Sequence, residues 1–474
     1  MFLTLTFLLN AVLNFLVILV IAKILGPQEY GRYAVAFMIV TVASTILYDW
    51  LRLSATRYYN GIVRSADPTV RASLDFAYLA IGIVVAVAAV LVAALRFDLS
   101  FSPALICMIA LASFATGQFE YWAALSRARF LNSAYARLVV WKNVFVFIFV
   151  LMAAFAAHDT VWILAAWSAG IAVAIATVVF QLLDRDARFA LADRAWLLRF
   201  AKYGIPIVIA NVLYQLIVLI NRLVISERLG FSDAGQLSLA TDMAIRLFLS
   251  IGAGVDVFLF QNAVRLEATV GIEAAKAQIS KNMSYVTAIL LPLAGGYLAV
   301  MPSFEALVVP PAYHGHFSQI SQILVPGVLG FCLTQFAFGP VFQIAKKTMP
   351  VIWAPCAGLL CDAALLVFIP RDAGADTYAL VHTASLLVAT LVCALYAFQI
   401  KECRPSLYDQ AVIVVCTLVM MIAIWPLRAI SSPWLALPST VAAGIAVYAV
   451  SIFSFNLLGT RHIFQNMFKF AGRS

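Results

Sequence analysis

The feature that most constrains this chain is a rhythm of apolar tracts, each about 20 residues long, that runs from one end to the other. Tracts start near Leu3, Ala34, Leu74, Ala104, Val139, Val161, Ile205, Gln236, Met283, Gln319, Val351, Tyr378, Gln410 and Trp434. Each is long enough to cross the roughly 30 Å hydrocarbon layer as a helix. Inside lipid no water is at hand for backbone N–H and C=O groups, so such tracts satisfy them internally, as helices. Composition leads to the same class: 64% of the 474 residues are hydrophobic and 11% charged, against about 25% charged in soluble domains. The expected fold is an all-α integral membrane protein of about 14 transmembrane helices. The first tract lacks a basic flank before Phe2 and a small-residue cleavage site after it, so it reads as a membrane helix and not a signal peptide.

Loop charge gives an orientation. When alternate loops are assigned to opposite sides, roughly 22 Lys and Arg fall on one side and 6 on the other, out of 31 in the chain. The rich side carries clusters such as Arg127, Arg129, Arg137 and Lys142, or Arg188, Arg194, Arg199 and Lys202. The positive-inside rule makes that side cytoplasmic and places both termini of this multi-pass chain there. Topology thus accounts for the net charge of +9, and nucleic acid is not an expected partner.

Other chemistries are excluded by what the sequence lacks. Cys107, Cys332, Cys356, Cys361, Cys393 and Cys416 fall in apolar tracts and Cys403 in a short loop, a spacing that makes no disulfide framework and no CxxC site. No Gly is followed by Lys, so a phosphate loop of the GxxxxGK type is absent. His314 and His316 lack a third ligand nearby, so neither a metal nor a cofactor is expected. Transport would then draw on an ion gradient, the membrane potential or the substrate gradient.

The longest polar stretch, Asp184 to Tyr203, divides six tracts from eight. The expected organisation is an N-terminal six-helix bundle over 1–183, a cytoplasmic linker over 184–204, a second six-helix bundle over 205–400, and two further helices with a basic tail over 401–474. A constant offset lays Leu25, Gly26, Glu29 and Gly31 on Leu229, Gly230, Asp233 and Gly235. Each segment follows the first tract of its own bundle, so a parallel internal repeat explains the match better than chance. Two bundles related by an axis along the membrane normal suit an alternating-access transporter, although duplication can also be architectural alone.

The helix dotted with Asn10 and Asn14, followed by Leu25-Gly26-Pro27-Gln28-Glu29-Tyr30-Gly31-Arg32-Tyr33, resembles the opening of the Wzx-type polysaccharide and O-antigen flippases. These belong to the multidrug/oligosaccharidyl-lipid/polysaccharide exporter superfamily. The resemblance is carried by the turn Gly26, Pro27, Glu29, Tyr30 and Gly31 and by the first two spans. Two extra helices after a twelve-span core fit the same layout, whereas Phe231 and Ala234 depart from the turn at the second repeat. The resemblance implies a non-enzymatic flippase that moves polyprenyl-pyrophosphate-linked oligosaccharide across a bacterial inner membrane for cell-surface polysaccharide synthesis. It also implies work beside a polysaccharide polymerase and a chain-length regulator.

Charges inside spans are the candidate site, because one at the bilayer centre costs about 2.5 to 3.5 kcal/mol on insertion scales. Arginine suits a pyrophosphate, since its planar fork donates two hydrogen bonds at once and stays charged when buried. Arg246, then Arg52 and Arg222, are the expected substrate-binding residues, with snorkelling to the outer interface as the other reading of Arg222. Asp49, Asp242 and Asp256 are the ion-coupling candidates. Asp49 with Arg52 and Asp242 with Arg246 are three and four residues apart and can equally be local ion pairs. Asp256 lies on the same broad face as Asp242, about 40° away, and overlays Arg52 under the repeat offset. Glu120 and Asp362 also sit in or near spans, unranked.

Pro206, Pro292, Pro326, Pro340 and Pro355 fall in or beside spans and are either hinges or the ordinary Pro content of membrane helices. Pro302 to Phe317 reads as the longest outward loop. The ending from Arg461 to Phe470 alternates basic and aromatic residues suited to an anionic leaflet. Two rivals to the flippase remain: an ion-coupled multidrug exporter, for which intramembrane arginines are poor company, and an integral membrane enzyme of polysaccharide assembly, which would carry a larger outward loop.

Overall fold

The computed structural model describes residues 2–461 apart from 61, 62, 64, 65, 96–100, 185, 348, 371 and 372, with the backbone alone over 2–14. The side chains of Asn10 and Asn14, the charges of Arg64, Arg96, Arg185 and Arg371, and the tail beyond Arg461 lie outside the described residues. Thirteen long helices carry the fold: α1 (Phe2–Tyr58), α2 (Pro68–Ala94), α3 (Pro103–Ala128), α4 (Asn132–Ala157), α5 (Thr160–Ala176), α6 (Arg194–Arg228), α7 (Phe231–Thr269), α8 (Ile272–Val308), α9 (His316–Leu333), α10 (Met349–Phe368), α11 (Ala375–Ala397), α12 (Leu407–Ile424) and α13 (Pro433–Ser454). No strand occurs among the described residues. Among the described residues, twelve helices are long and apolar enough to cross a membrane, and Thr160–Ala176 is a shorter apolar one. Gly26, at φ 69° and ψ 175°, bends α1 into two arms, which brings the helices to the fourteen expected.

Helix starts follow from capping chemistry. The Asp67, Asp159 and Asp193 side chains accept from the N–H groups of Thr69, Val161 and Ala195, and Ser102 and Ser406 do the same for Leu105 and Asp409. Pro68, Pro103 and Pro433 stand in first turns, where no N–H is needed. Pro206, Pro292, Pro302, Pro326 and Pro355 lie inside helices. At Pro340 the missing N–H coincides with a π-helical turn, Thr334–Phe338, directly before Gly339.

Contacts divide the chain into two compact units, Met1–Ser238 and Leu239–Ser474. In the first, α1 is the spine, packing along α3, α4 and α6, while α4 lies against α5. In the second, α10 pairs with α11, α9 packs on α11, and α8 packs on α12 and α13. The most apolar windows of α2 and α13 are each only 17% buried, against 56% for His316–Ile344, so α2 and α13 turn most of their surface to lipid.

Two expected loops are shorter than the sequence suggests. α8 continues through Pro302 to Val308, which leaves 309–315 as the connection to α9 and corrects the reading of 302–317 as a loop. α6 starts at Arg194, inside the stretch read as linker, because Asp193 caps it. The irregular part before it is strapped to the first unit. Arg71 Nη1 donates to the Leu182 carbonyl (3.3 Å), Tyr59 Oη donates to Asp184 (2.9 Å), and the Asp193 N–H donates to Ser73 Oγ (2.8 Å).

Candidate functional site

The Gly26–Gly31 turn is built for close backbone approach. Gly26 at φ 69° and Gly230 at φ 96° are the two helix-breaking glycines of the aligned segments, both in a conformation that costs side-chain-bearing residues about 1 to 2 kcal/mol. A Cβ on Gly31 would overlap the Phe231 carbonyl oxygen, and one on Gly235 would overlap that of Pro27. Glu29 pairs with Arg32 at 2.7 Å, the Arg32 guanidinium lies 5.2 Å over the Phe231 ring, and Tyr30 is fully buried. The turn motif is therefore a packing device joining the first turn to its repeat.

Below it, the first unit contains a charged and aromatic cluster that the sequence does not single out. Arg71 is 2% exposed at the start of α2. Its Nε donates to both Asp75 oxygens (2.9 and 2.8 Å), and its guanidinium lies within 6 Å of the Tyr59, Tyr121 and Trp122 ring centres. Tyr121 Oη donates to Asp75 Oδ1. Tyr78 stacks between Tyr48 and Tyr121, at centroid distances of 5.4 and 4.1 Å. Only the i, i+4 spacing of Arg71 and Asp75 hinted at this, since the aromatic partners come from α1, the residue just past it and α3.

The sequence-ranked residues are placed as follows. Asp49 and Arg52 form a two-bond ion pair, Nε to Oδ1 at 2.9 Å and Nη2 to Oδ2 at 3.2 Å, partly buried on α1. Arg222 is 4% exposed on α6, and its Nη1 donates to the Ala34 carbonyl at 3.2 Å, so its head is held inside protein and does not snorkel outward. Asp242, Arg246 and Asp256 are half-buried along α7, in the second unit. Glu120 is half-buried on α3. Asp362 is fully buried on α10, accepting from Ser385 Oγ of α11 at 3.0 Å. Burial ranks it where sequence could not.

The second unit holds an apolar groove of about 470 Å³ walled by α7, α8, α12 and α13, with Leu247, Leu293, Gly296, Met420, Gly444 and Tyr448 along it. Val441 and Ile445, 46% and 68% exposed, stand on its α13 side and turn toward lipid. Tyr448 Oη donates to the Ala288 carbonyl (2.7 Å), which ties α13 to α8. Groups of three or more His, Cys, Asp and Glu able to hold a metal are absent among the described residues.

No protein-family model matches the chain, and no curated protein matches it in sequence. In fold it is similar to the lipid II flippase MurJ in an inward closed conformation, with a TM-score of 0.72 at 13% identity over 96% of this chain and 98% of that one. It is also similar to a multidrug-resistance MATE-family transporter of the MOP superfamily, inward-facing, with a TM-score of 0.61 at 11% identity over 82% of this chain and 94% of that one. For an outward-facing conformation the TM-score is 0.56 at 13% identity, over 84% and 94%. The chain thus has the multi-helix membrane fold that these transporters share.

Proposed function

We propose that the chain is a flippase that carries polyprenyl-pyrophosphate-linked oligosaccharide from the cytoplasmic to the outer leaflet of a bacterial inner membrane. The observation that carries this reading is the apolar groove walled in part by α12 and α13. A long isoprenoid tail is apolar throughout and needs a lipid-open channel, which a wall of Leu293, Gly296, Met420, Gly444 and Ile445 supplies. Arg52, Arg222 and Arg246 would supply cationic charge for the pyrophosphate, and Asp49, Asp242 and Asp256 are candidates for the coupling ion.

The second reading is an ion-coupled multidrug exporter, favoured by the likeness to MATE-family structures. Those structures leave about a sixth of this chain unmatched, while MurJ, a lipid II flippase by its description, matches 96%. That difference in coverage supports the flippase over the exporter. Non-enzymatic function and cytoplasmic termini belong to the same proposal, as do a polymerase and a chain-length regulator as partners. The test is leaflet-resolved translocation of a lipid-linked oligosaccharide in proteoliposomes holding wild type or Arg246→Ala. Translocation by wild type that falls at least about tenfold in the variant, one charge-assisted contact's worth, is the expected result. No translocation under any ion gradient, with intact substrate, overturns the reading in favour of the exporter.

A further inference from the structure

The first unit contains a second lipid-open cavity, of about 510 Å³, between α2, α3 and α5. Its polar end is made by Asp75, Gln118, Tyr121 and Ser168, and its apolar end by Leu79, Leu111 and Phe114. A smaller cavity of about 160 Å³ shares Leu111 and Phe114 and continues between α2 and α3 as far as Ala86 and Val90. From Arg71 to Val90 the α2 backbone rises about 28 Å, enough for a headgroup and one acyl chain. Leu79, Leu111, Leu183 and Phe189 line the larger cavity and are each 44 to 54% exposed, so its mouth opens sideways into lipid.

Depth and charge select the occupant. α2 has 27 residues, about 40 Å, the thickness of a bilayer with its headgroups. In the positive-inside orientation, Arg71 and Asp75 fall within the first ~10 Å, at the level of the cytoplasmic headgroups. Arg71 is committed to Asp75, the Leu182 carbonyl and three aromatic rings, and is 2% exposed. Arg71 also borders the cavity, but the charged group with surface to offer a ligand there is Asp75, whose side chain is 26% exposed against 2% for Arg71. Beside it, Gln118 Oε1 accepts from the Trp122 indole (3.2 Å), which leaves the amide Nε2 as a donor for phosphate. A partly exposed carboxylate with an amide donor at headgroup depth, above an apolar channel, complements a primary ammonium joined to a phosphodiester.

We infer that this cavity binds a cytoplasmic-leaflet phospholipid with a primary-ammonium headgroup, a phosphatidylethanolamine. The ammonium sits on Asp75, the phosphate on Gln118, and one acyl chain runs past Leu79, Leu111 and Phe114. The site is separate from the apolar groove of the second unit, and its existence does not depend on what the protein transports.

The test is native mass spectrometry of the full-length protein in detergent, offered phosphatidylethanolamine, phosphatidylcholine or phosphatidylglycerol with identical acyl chains. Wild type is expected to retain the ethanolamine lipid about tenfold over the other two, because choline has no N–H to donate and glycerol no positive charge. Asp75→Asn should reduce that preference to near parity. Ala172→Trp provides an independent check, since Ala172 lines the cavity from an exposed position on α5 and the substitution obstructs it without touching the ion pair. It should lower retention of the ethanolamine lipid to the level of the other two. Equal retention of all three lipids by wild type, or undiminished ethanolamine-lipid binding by Ala172→Trp, overturns the inference.

Discussion

Gly31 and Gly235 make reciprocal contacts: the Cβ position of Gly31 falls on the Phe231 carbonyl, and that of Gly235 on the Pro27 carbonyl. Pro27 and Gly31 align with Phe231 and Gly235 under the offset of the internal repeat, so the two repeated turns grip one another symmetrically. Backbone approach this close is open only to glycine. Gly31→Ala and Gly235→Ala are each expected to destabilise the protein by about 1 to 3 kcal/mol through overpacking. Gly254→Ala, where a Cβ meets nothing within 4 Å, should be neutral or slightly stabilising. Thermal unfolding in detergent measures all three, and equal melting temperatures would remove the turn contact from the account.

The Arg71–Asp75 pair should behave as a unit. Arg71→Met leaves a partly buried carboxylate without its main partner and should cost about 3 kcal/mol, the lower end of the range for broken buried pairs. Arg71→Lys should rescue little, since an ammonium has neither the fork for both oxygens nor a flat face for Tyr59, Tyr121 and Trp122. In the double variant with Asp75→Asn the loss should be less than additive, as a double-mutant cycle would read.

Tyr59 gives the pair's neighbourhood a pH signature. Burial pushes its hydroxyl above the ordinary phenol range, opposed by the Arg71 charge and reinforced by the bond to Asp184. A raised pKa means stability present below the unfolded-state value and lost as pH climbs through the folded-state value. Wild type should therefore lose stability above about pH 10, and Tyr59→Phe should lose less over the same window. Alkaline melting curves of the two proteins decide it.

Groove occupancy is testable by filling. Gly296 lines the second-unit groove and a Cβ there meets nothing within 4 Å, so Gly296→Phe should fold normally. Under the flippase reading it should slow translocation of a long-tailed substrate about tenfold and spare a short-tailed analogue. Equal loss for both tails would detach the groove from the tail.

Asp362→Asn replaces a fully buried carboxyl group yet keeps an acceptor for Ser385. An intramembrane carboxylate is expensive unless used, so the variant should remain folded while transport loses its dependence on an ion gradient. Unchanged gradient dependence would make Asp362 a structural partner of α11.

The sequence alone determined the number of spans, because twenty apolar residues in lipid have helix as their only inexpensive conformation. It also located the helix-breaking Gly26 and its repeat at Gly230, since glycine marks positions where φ turns positive, and it paired Asp49 with Arg52 through one helix turn. What lay beyond it were relations between helices. Nothing in the sequence but its spacing to Asp75 marks Arg71; Tyr59, just past α1, and Tyr121 and Trp122 of α3 enclose it only once the helices are packed. Asp362 stood unranked until α11 brought Ser385 against it, and Arg222 stood between substrate contact and snorkelling until packing gave its Nη1 the Ala34 carbonyl as acceptor. Hydropathy reports the solvent each segment prefers, whereas the partner of a charge is chosen by which helix lies alongside, and only tertiary packing decides that.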